Sequence, residues 1–252
     1  MSIGALDTDS AALAKRLELQ HRLSGFDLNE WIFSRVNPRP NERWLDLGCG
    51  RGEQSLPLAR IVESVTSIDL SEKSLEALRE ADPSGRITTI HTDLDKVATF
   101  IEGQEFDGVV GSYSLYYAND PVRLFRTIRS VLANNGRLFF CGPAHANNVE
   151  LRTLSAEATG DRSYLDPTRP STFMEEEAPT ICTSLFGKVE RFTFENPVRF
   201  TSADDLVDYW TSHNLYREAA LPRFRDLAEQ HFGQSSEFVN VKRGIGIKAQ
   251  KG

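Results

Sequence analysis

Nothing in these 252 residues approaches the unbroken run of about 18 apolar side chains that a membrane-spanning helix needs. The stretch from Met1 to Leu19 mixes charges with short apolar runs, so it lacks the apolar core of a secretory signal. Cysteine is scarce: Cys49, Cys141 and Cys182 are odd in number and widely spaced, which excludes a CxxC metal pattern and an even-numbered disulfide framework. A reducing, cytoplasmic location is the expectation. Positive charge is short as well, with 29 Lys and Arg against 36 Asp and Glu and a net charge of −7. Duplex-binding proteins gain most of their affinity from clustered cations on phosphates, so no nucleic acid is expected as a partner, and no membrane. A small molecule is the expected partner, no metal is expected, and the oligomeric state stays open. Arg191, Arg199, Arg217, Arg223 and Arg225 are a local exception to the acidic balance, either lining an anion site or lying solvated on the surface.

What is present suits a globular α/β chain. Hydrophobic residues make up 40% and charged residues 26%, enough to close a core without a staple. Apolar residues at helical spacing between residues 10 and 36, broken near Ser24-Gly25, predict two N-terminal helices. A turn at Asn37-Pro-Arg-Pro-Asn-Glu42 then leads into Arg43-Trp-Leu-Asp-Leu47, an apolar run short enough for a buried parallel strand. Helices are expected at Glu53 to Val62, Glu72 to Ala81, Val97 to Ile101 and Val122 to Leu132. They alternate with strands at Ser64 to Ile68, Ile87 to His91, Phe106 to Gly111 and Arg137 to Cys141, the last after a turn at Asn134-Asn-Gly136. Such alternation implies a parallel sheet with right-handed crossovers. Beyond Cys141 the pattern changes to helices near Glu150 to Ala156 and Phe173 to Phe186, flanking a polar stretch from Gly160 to Ser171. Strands at Lys188 to Phe194 and Glu237 to Ile247 bracket two amphipathic helices, Ser202 to Thr211 and Leu221 to Phe232. These helices are expected to cap the strand ends. One domain is expected: N-terminal helices over 1–40, a core over 41–142, and a second half over 143–252 with its cap near 196–234.

The strongest chemical signal is Leu45-Asp-Leu-Gly-Cys-Gly-Arg-Gly52, three glycines at alternate positions between a strand and a helix. Glycine is required where backbone meets a ligand or takes a positive φ. The dinucleotide fingerprint GxGxxG wants its third glycine at Glu53; here it falls at Gly52. A carboxylate at the strand end, Asp46, suits a cationic ligand better than a pyrophosphate.

With these residues the chain resembles the class I S-adenosylmethionine-dependent methyltransferases of the small-molecule type, whose first motif reads acidic-x-Gly-x-Gly-x-Gly. The resemblance covers roughly residues 40 to 142. It implies a Rossmann-like, seven-stranded, mostly parallel sheet with helices on both faces and the last strand antiparallel. It implies S-adenosyl-L-methionine as cofactor, held by Asp46, Gly48, Gly50 and Gly52. Asp69 with Leu70, in Ser67-Ile-Asp-Leu-Ser71, is placed to accept both ribose hydroxyls, a device that dehydrogenases share. Asp93 would accept the adenine amino group and Leu94 pack on the ring, and Gly111 ends the fourth strand beside them. Asp69 and Asp93 also suit helix N-caps, and the two roles coexist. The segment Arg129-Ser-Val-Leu-Ala-Asn-Asn-Gly-Arg-Leu138 matches the family's approach to its fifth strand. It departs at the turn, Ala133-Asn-Asn-Gly136 for Lys-Pro-Gly-Gly, and Tyr116 or Tyr117 stands where related small-molecule enzymes carry a histidine.

On the acceptor side, Tyr113, Tyr116 and Tyr117 either approach the reacting methyl or pack as rim. His145, just past the fifth strand, titrates near neutral pH and together with Tyr117 is the catalytic candidate, a role to be weighed against that of a plain loop histidine. Tyr209 and Trp210 either wall an acceptor pocket or anchor a helix, and Cys49 is read as packing. The reading is methyl transfer to oxygen or nitrogen of a small acceptor. A macromolecular substrate is the alternative, weakened by Gly111-Ser-Tyr-Ser114 where an Asn/Asp-Pro-Pro-Tyr motif would stand. A cofactor-binding protein that does not methylate is another.

Overall fold

The computed structural model describes residues 22–252; the first of the two expected N-terminal helices lies almost wholly outside them. In chain order the elements are α1 (Leu28–Val36), β1 (Arg43–Leu47), α2 (Ser55–Ala59), β2 (Ser64–Asp69), α3 (Glu72–Ala81), β3 (Ile87–His91), α4 (Ala98–Ile101), β4 (Phe106–Ser112), α5 (Pro121–Val131) and β5 (Leu132–Pro143). Then come α6 (Val149–Thr159), α7 (Arg169–Thr172), a π-turn (Phe173–Glu177), α8 (Ala178–Leu185), β6 (Lys188–Phe200), α9 (Ala203–Thr211), α10 (Leu221–Phe232) and β7 (Phe238–Gln250).

The seven strands form one sheet in the order β3-β2-β1-β4-β5-β7-β6. β1 pairs in parallel with β2 and β4, β2 with β3, and β4 with β5, while β7 runs antiparallel to β5. β1 is central and buried from Trp44 to Leu47, which is why its sequence is an unbroken apolar run apart from Asp46. Adjacent residues of a strand point to opposite faces, and β5 shows both faces covered. Phe139 meets Trp31 of α1 edge-on at 5.5 Å, and Phe140 meets Phe125 of α5 at 5.2 Å. The helix starts follow from their caps: Asp27 accepts from Asn29 N and Glu30 N, Ser71 from Ser74 N, and Asp120 from Arg123 N ahead of Pro121.

Two compact units emerge. The first comprises the described residues up to Phe26, Ala146–Pro167 and Phe194–Arg243; the second comprises Asp27–His145, Thr168–Thr193 and Gly244–Gly252. The first has its own core, in which Trp210 stacks on Phe224 at 3.9 Å and donates from Nε1 to Ser155 Oγ at 3.0 Å. The second holds the larger core around Leu45, Ile68, Val109, Phe125, Phe140 and Phe173.

Three elements differ in extent from the sequence reading. α2 is only Ser55–Ala59, because Ile61 and Val62 both donate to Leu58 O and tighten its end into a turn. β5 begins at Leu132, since Asn135 takes a left-handed φ of 62° and lets the strand continue through the expected turn, with a register shift between Phe106 and Gly108. The helix expected from Phe173 contains the π-turn. α9 and α10 stand where the two amphipathic helices were expected.

Candidate active site

The glycine loop follows β1 directly, at the carboxyl ends of the parallel strands, where open α/β sheets bind ligands. Gly48 N and Cys49 N donate to Ile68 O at 2.7 and 3.0 Å, so the loop is sewn to the end of β2. Gly48, Gly50 and Gly52 all have positive φ. Their surroundings differ. A Cβ on Gly52 would lie 2.3 Å from Leu78 Cδ1, and one on Gly48 would lie 2.3 Å from Ser114 Cβ. Those two glycines exist for close packing. A Cβ on Gly50 would meet nothing within 4 Å, so this part of the loop fronts open space where a ligand fits.

Three carboxylates stand at or just past the carboxyl ends of β1, β2 and β3. Asp69 ends β2 and is bound at both oxygens: Gly50 N donates to Oδ2 at 2.7 Å and Ser71 N to Oδ1 at 2.8 Å. It therefore fixes the loop, with one lone pair on each oxygen left for a ligand hydroxyl. The cap of α3 is Ser71 rather than Asp69. Asp93 does cap, accepting Asp95 N at 2.8 Å. Leu70 is 55% exposed, and its carbonyl is held by His91 Nε2 at 2.8 Å, while Leu94 packs against the core edge. Leu70 thus exposes an apolar side chain directly after Asp69, a surface that suits a planar aromatic ligand.

Asp46 is the unusual group. It has no exposure at all; Ser55 Oγ donates to Oδ2 at 2.5 Å, with Ser67 Oγ 2.8 Å from the same hydroxyl, and Oδ1 has no partner. Burial pushes its carboxyl up to about 7; the Ser55 hydrogen bond opposes this and the Asp69 charge adds to it. An orphaned buried carboxylate oxygen next to a loop that fronts open space fits a ligand bearing positive charge. Burial, with the charges of Asp46 and Asp69, also pushes the Cys49 thiol up, which leaves it a neutral packing group.

The remaining candidates separate. Gly111 packs against Leu115, whose Cγ would lie 2.8 Å from an added Cβ. Tyr116 is buried against Tyr117 and Phe173, Tyr117 is 42% exposed, and Tyr113 takes a left-handed φ of 56°. His145 sits between Ser171 and Glu176, with Nδ1 3.1 Å from Ser171 Oγ and Nε2 3.4 Å from Glu176 Oε1. Tyr209 and Trp210 are fully buried and act as core anchors. Each of the five arginines has its own partner. Arg191 pairs with Glu175, Arg199 with Glu237, Arg223 with Glu157 and Arg225 with Asp204, while Arg217 donates to backbone carbonyls. The residues that sequence reasoning missed are hydroxyls and amides: Ser55 and Ser67 on Asp46, Ser114 donating to Leu47 O at 2.5 Å, and Asn29, which donates to Glu53 O at 2.9 Å and accepts from Gln54 at 3.1 Å. A serine in the buried face of β2 was the one available signal.

Strand order and the loop after β1 define a Rossmann-like α/β sheet with a glycine loop and acidic residues at the carboxyl ends of its parallel strands. Comparison with known proteins gives the class its name. The family model described as a methyltransferase domain matches residues 45–140. The "Putative methyltransferase YqeM" of Bacillus subtilis (strain 168) is 40% identical over 215 residues, 83% of this chain and 74% of the relative. A ubiquinone biosynthesis O-methyltransferase of Actinobacillus pleuropneumoniae is 31% identical over 117 residues, 44% of this chain and 50% of the relative. The chain thus spans about half the length of the first curated relatives that it matches. Among solved structures, an S-adenosylmethionine-dependent methyltransferase from Mesorhizobium loti superposes with a TM-score of 0.52 at 22% identity, covering 88% of this chain and 98% of that one. The chain belongs to the class I S-adenosylmethionine-dependent methyltransferase family, and its sheet is the Rossmann-like sheet of that class.

Proposed function

We propose that this chain moves a methyl group from S-adenosyl-L-methionine to an oxygen or nitrogen of a small-molecule acceptor, in the cytoplasm and without a nucleic acid or membrane partner. The observation that carries the reading is Asp46 Oδ1, buried and unpartnered beside the open front of Gly50. When bound, the cofactor supplies an electrophilic methyl on a sulfonium. The residues that would hold it are the backbone of Gly48 to Gly52, Asp46 for the cationic tail, Asp69 for the ribose hydroxyls, Asp93 for the adenine amine, and Leu70 and Leu94 for the ring. Gly111 keeps the end of β4 close to Leu115 beneath them. The chain's contribution to rate is alignment of two reactants and exclusion of water. The net charge of −7 and the dispersal of the arginines into separate contacts support a small acceptor over a polyanion. Among the described residues no helix is long and apolar enough to cross a membrane.

Calorimetric titration with S-adenosylmethionine and S-adenosylhomocysteine tests this. Micromolar binding, about −8 kcal/mol, is expected for the wild type, with clear weakening in Asp69→Ala and Asp93→Ala. Absence of binding by the folded wild type overturns the reading.

A further inference from the structure

We propose that His91 is a positioning residue for the nucleoside half of the cofactor, holding the turn Asp69-Leu70-Ser71 and so fixing the spacing between Asp69 and Asp93. The inference rests on the cofactor reading above and adds to it a residue that acts through the Leu70 carbonyl.

The first observation is how the turn is held. Leu70 keeps an apolar side chain exposed, while Asp69 before it is tied by Gly50 N and Ser71 N. The carbonyl of Leu70 takes its partner from the neighbouring strand, His91 Nε2 at 2.8 Å. A carbonyl only accepts, so Nε2 carries the proton and the direction of this hydrogen bond is settled. One position on, Thr92 N donates to Asp69 O at 3.1 Å. These two bonds cross-link the end of β2 to the end of β3, immediately before Asp93. The separation between the acid read as meeting the ribose and the acid read as meeting the adenine is thereby set by one imidazole and the backbone beside it.

The second observation is how His91 is itself oriented. Its Nδ1 faces Glu72 Oε2 at 3.4 Å. Glu72 Oε1 accepts from Arg79 Nη2 at 2.6 Å, and Arg79 Nη1 donates to Thr89 Oγ1 at 2.9 Å. Thr89 and His91 stand two apart on β3 and share a face of the strand, while Glu72 and Arg79 stand seven apart on α3 and share a face of the helix. The four side chains therefore run from β3 to α3 and back to β3, and the line ends on the Leu70 carbonyl. Arg79 and Glu72 are each 44% exposed and His91 52%, so these pairs add little to stability and serve to orient the ring. Support of this kind shows in ligand affinity rather than in the stability of the fold.

Calorimetry on the full chain with S-adenosylhomocysteine and with 5′-methylthioadenosine tests the assignment, since both ligands carry the nucleoside half and only the first carries the amino-acid tail. His91→Ala is expected to weaken both by the same factor, about threefold to tenfold for one neutral hydrogen bond, with the urea midpoint unchanged. His91→Gln, whose side-chain amide can donate to the Leu70 carbonyl, is expected to bring affinity back to within about twofold of wild type. Adding Glu72→Ala to His91→Ala is expected to cost no further affinity, because Glu72 acts through the imidazole. Wild-type affinity in His91→Ala overturns the proposal, as does a weakening confined to S-adenosylhomocysteine. An equal loss in His91→Gln, or a lowered urea midpoint in His91→Ala, assigns the residue to the fold and overturns it too. A folded wild type that binds neither ligand overturns the cofactor reading instead.

Discussion

Replacing Asp46 by Asn probes the one carboxyl that the fold holds without exposure and with an unpartnered oxygen. Burial raises this carboxyl to about 7 in the folded chain, against an ordinary value of 3.8. Between those values the folded chain binds a proton that the unfolded chain has released, so unfolding releases it and stability must fall as pH rises. The loss is complete above the folded value and absent below the ordinary one. From pH 5 the slope is about 1.4 kcal/mol per pH unit and halves at the folded value, so the wild type loses about 2 kcal/mol by pH 7 and nearly 3 kcal/mol by pH 8. Asn keeps the shape and an oxygen for Ser55 but does not titrate. Urea unfolding at pH 5, 6, 7 and 8 should therefore show a steeper fall for the wild type than for Asp46→Asn, with the two curves differing by about 3 kcal/mol across the range. Cofactor adds a second sign. A cation beside Asp46 favours its ionised form, so binding below pH 7 should release a proton, detectable as a buffer-dependent calorimetric enthalpy that Asp46→Asn abolishes. Parallel stability curves for the two proteins would refute the buried, proton-holding Asp46.

Two further perturbations follow from the same geometry. Gly52→Ala puts a Cβ 2.3 Å from Leu78 Cδ1 at a φ of 91°, so thermal unfolding should show a loss of about 2–4 kcal/mol from strain and overpacking together. Gly50→Ala points into open space and should cost only about 1–2 kcal/mol of stability for its left-handed φ of 53°, yet weaken cofactor binding more than tenfold by calorimetry. Glu42 accepts from Arg137 at 2.7 and 3.0 Å, Arg39 N at 2.9 Å and Trp44 Nε1 at 3.0 Å, with both partners of the ion pair nearly enclosed. Burial works to raise this carboxyl, but the hydrogen bonds and charge of Arg137, Arg39 and Trp44 prevail and hold it below its ordinary range. Its stability is present above that range and lost as pH falls, opposite in sign to Asp46. Glu42→Gln should cost about 3 kcal/mol in urea unfolding at neutral pH by stranding Arg137.

Most of the second unit's architecture was legible because its signals are local. The run Trp44 to Leu47, the loop to Gly52 and the spacing to Asp69 and Asp93 each declare an element or a turn through residue type alone. Boundaries were less legible where tertiary pairing decided them. β5 extends back to Leu132 because Phe106 offers it a partner, and no periodicity in Ala133-Asn-Asn-Gly136 announces that. The π-turn was illegible as well: Phe173 and Met174 read as any buried helix face.

The same division holds for chemistry. Residue type and spacing along the chain determined that a strand, a three-glycine loop and acidic strand ends would form a cofactor site, since each depends on backbone conformation and near neighbours. Only the tertiary structure decided which carboxylates were spent on holding the loop and which were left unpaired. Asp69 and Asp46 look alike in the sequence. One is tied by two backbone amides at the strand edge, and the other is sealed in the central strand with one oxygen orphaned, a difference made entirely by burial and hydrogen bonds that long-range contacts supply. His145 is the same kind of case, a loop histidine in the sequence that the fold sets between Ser171 and Glu176, 26 and 31 positions away.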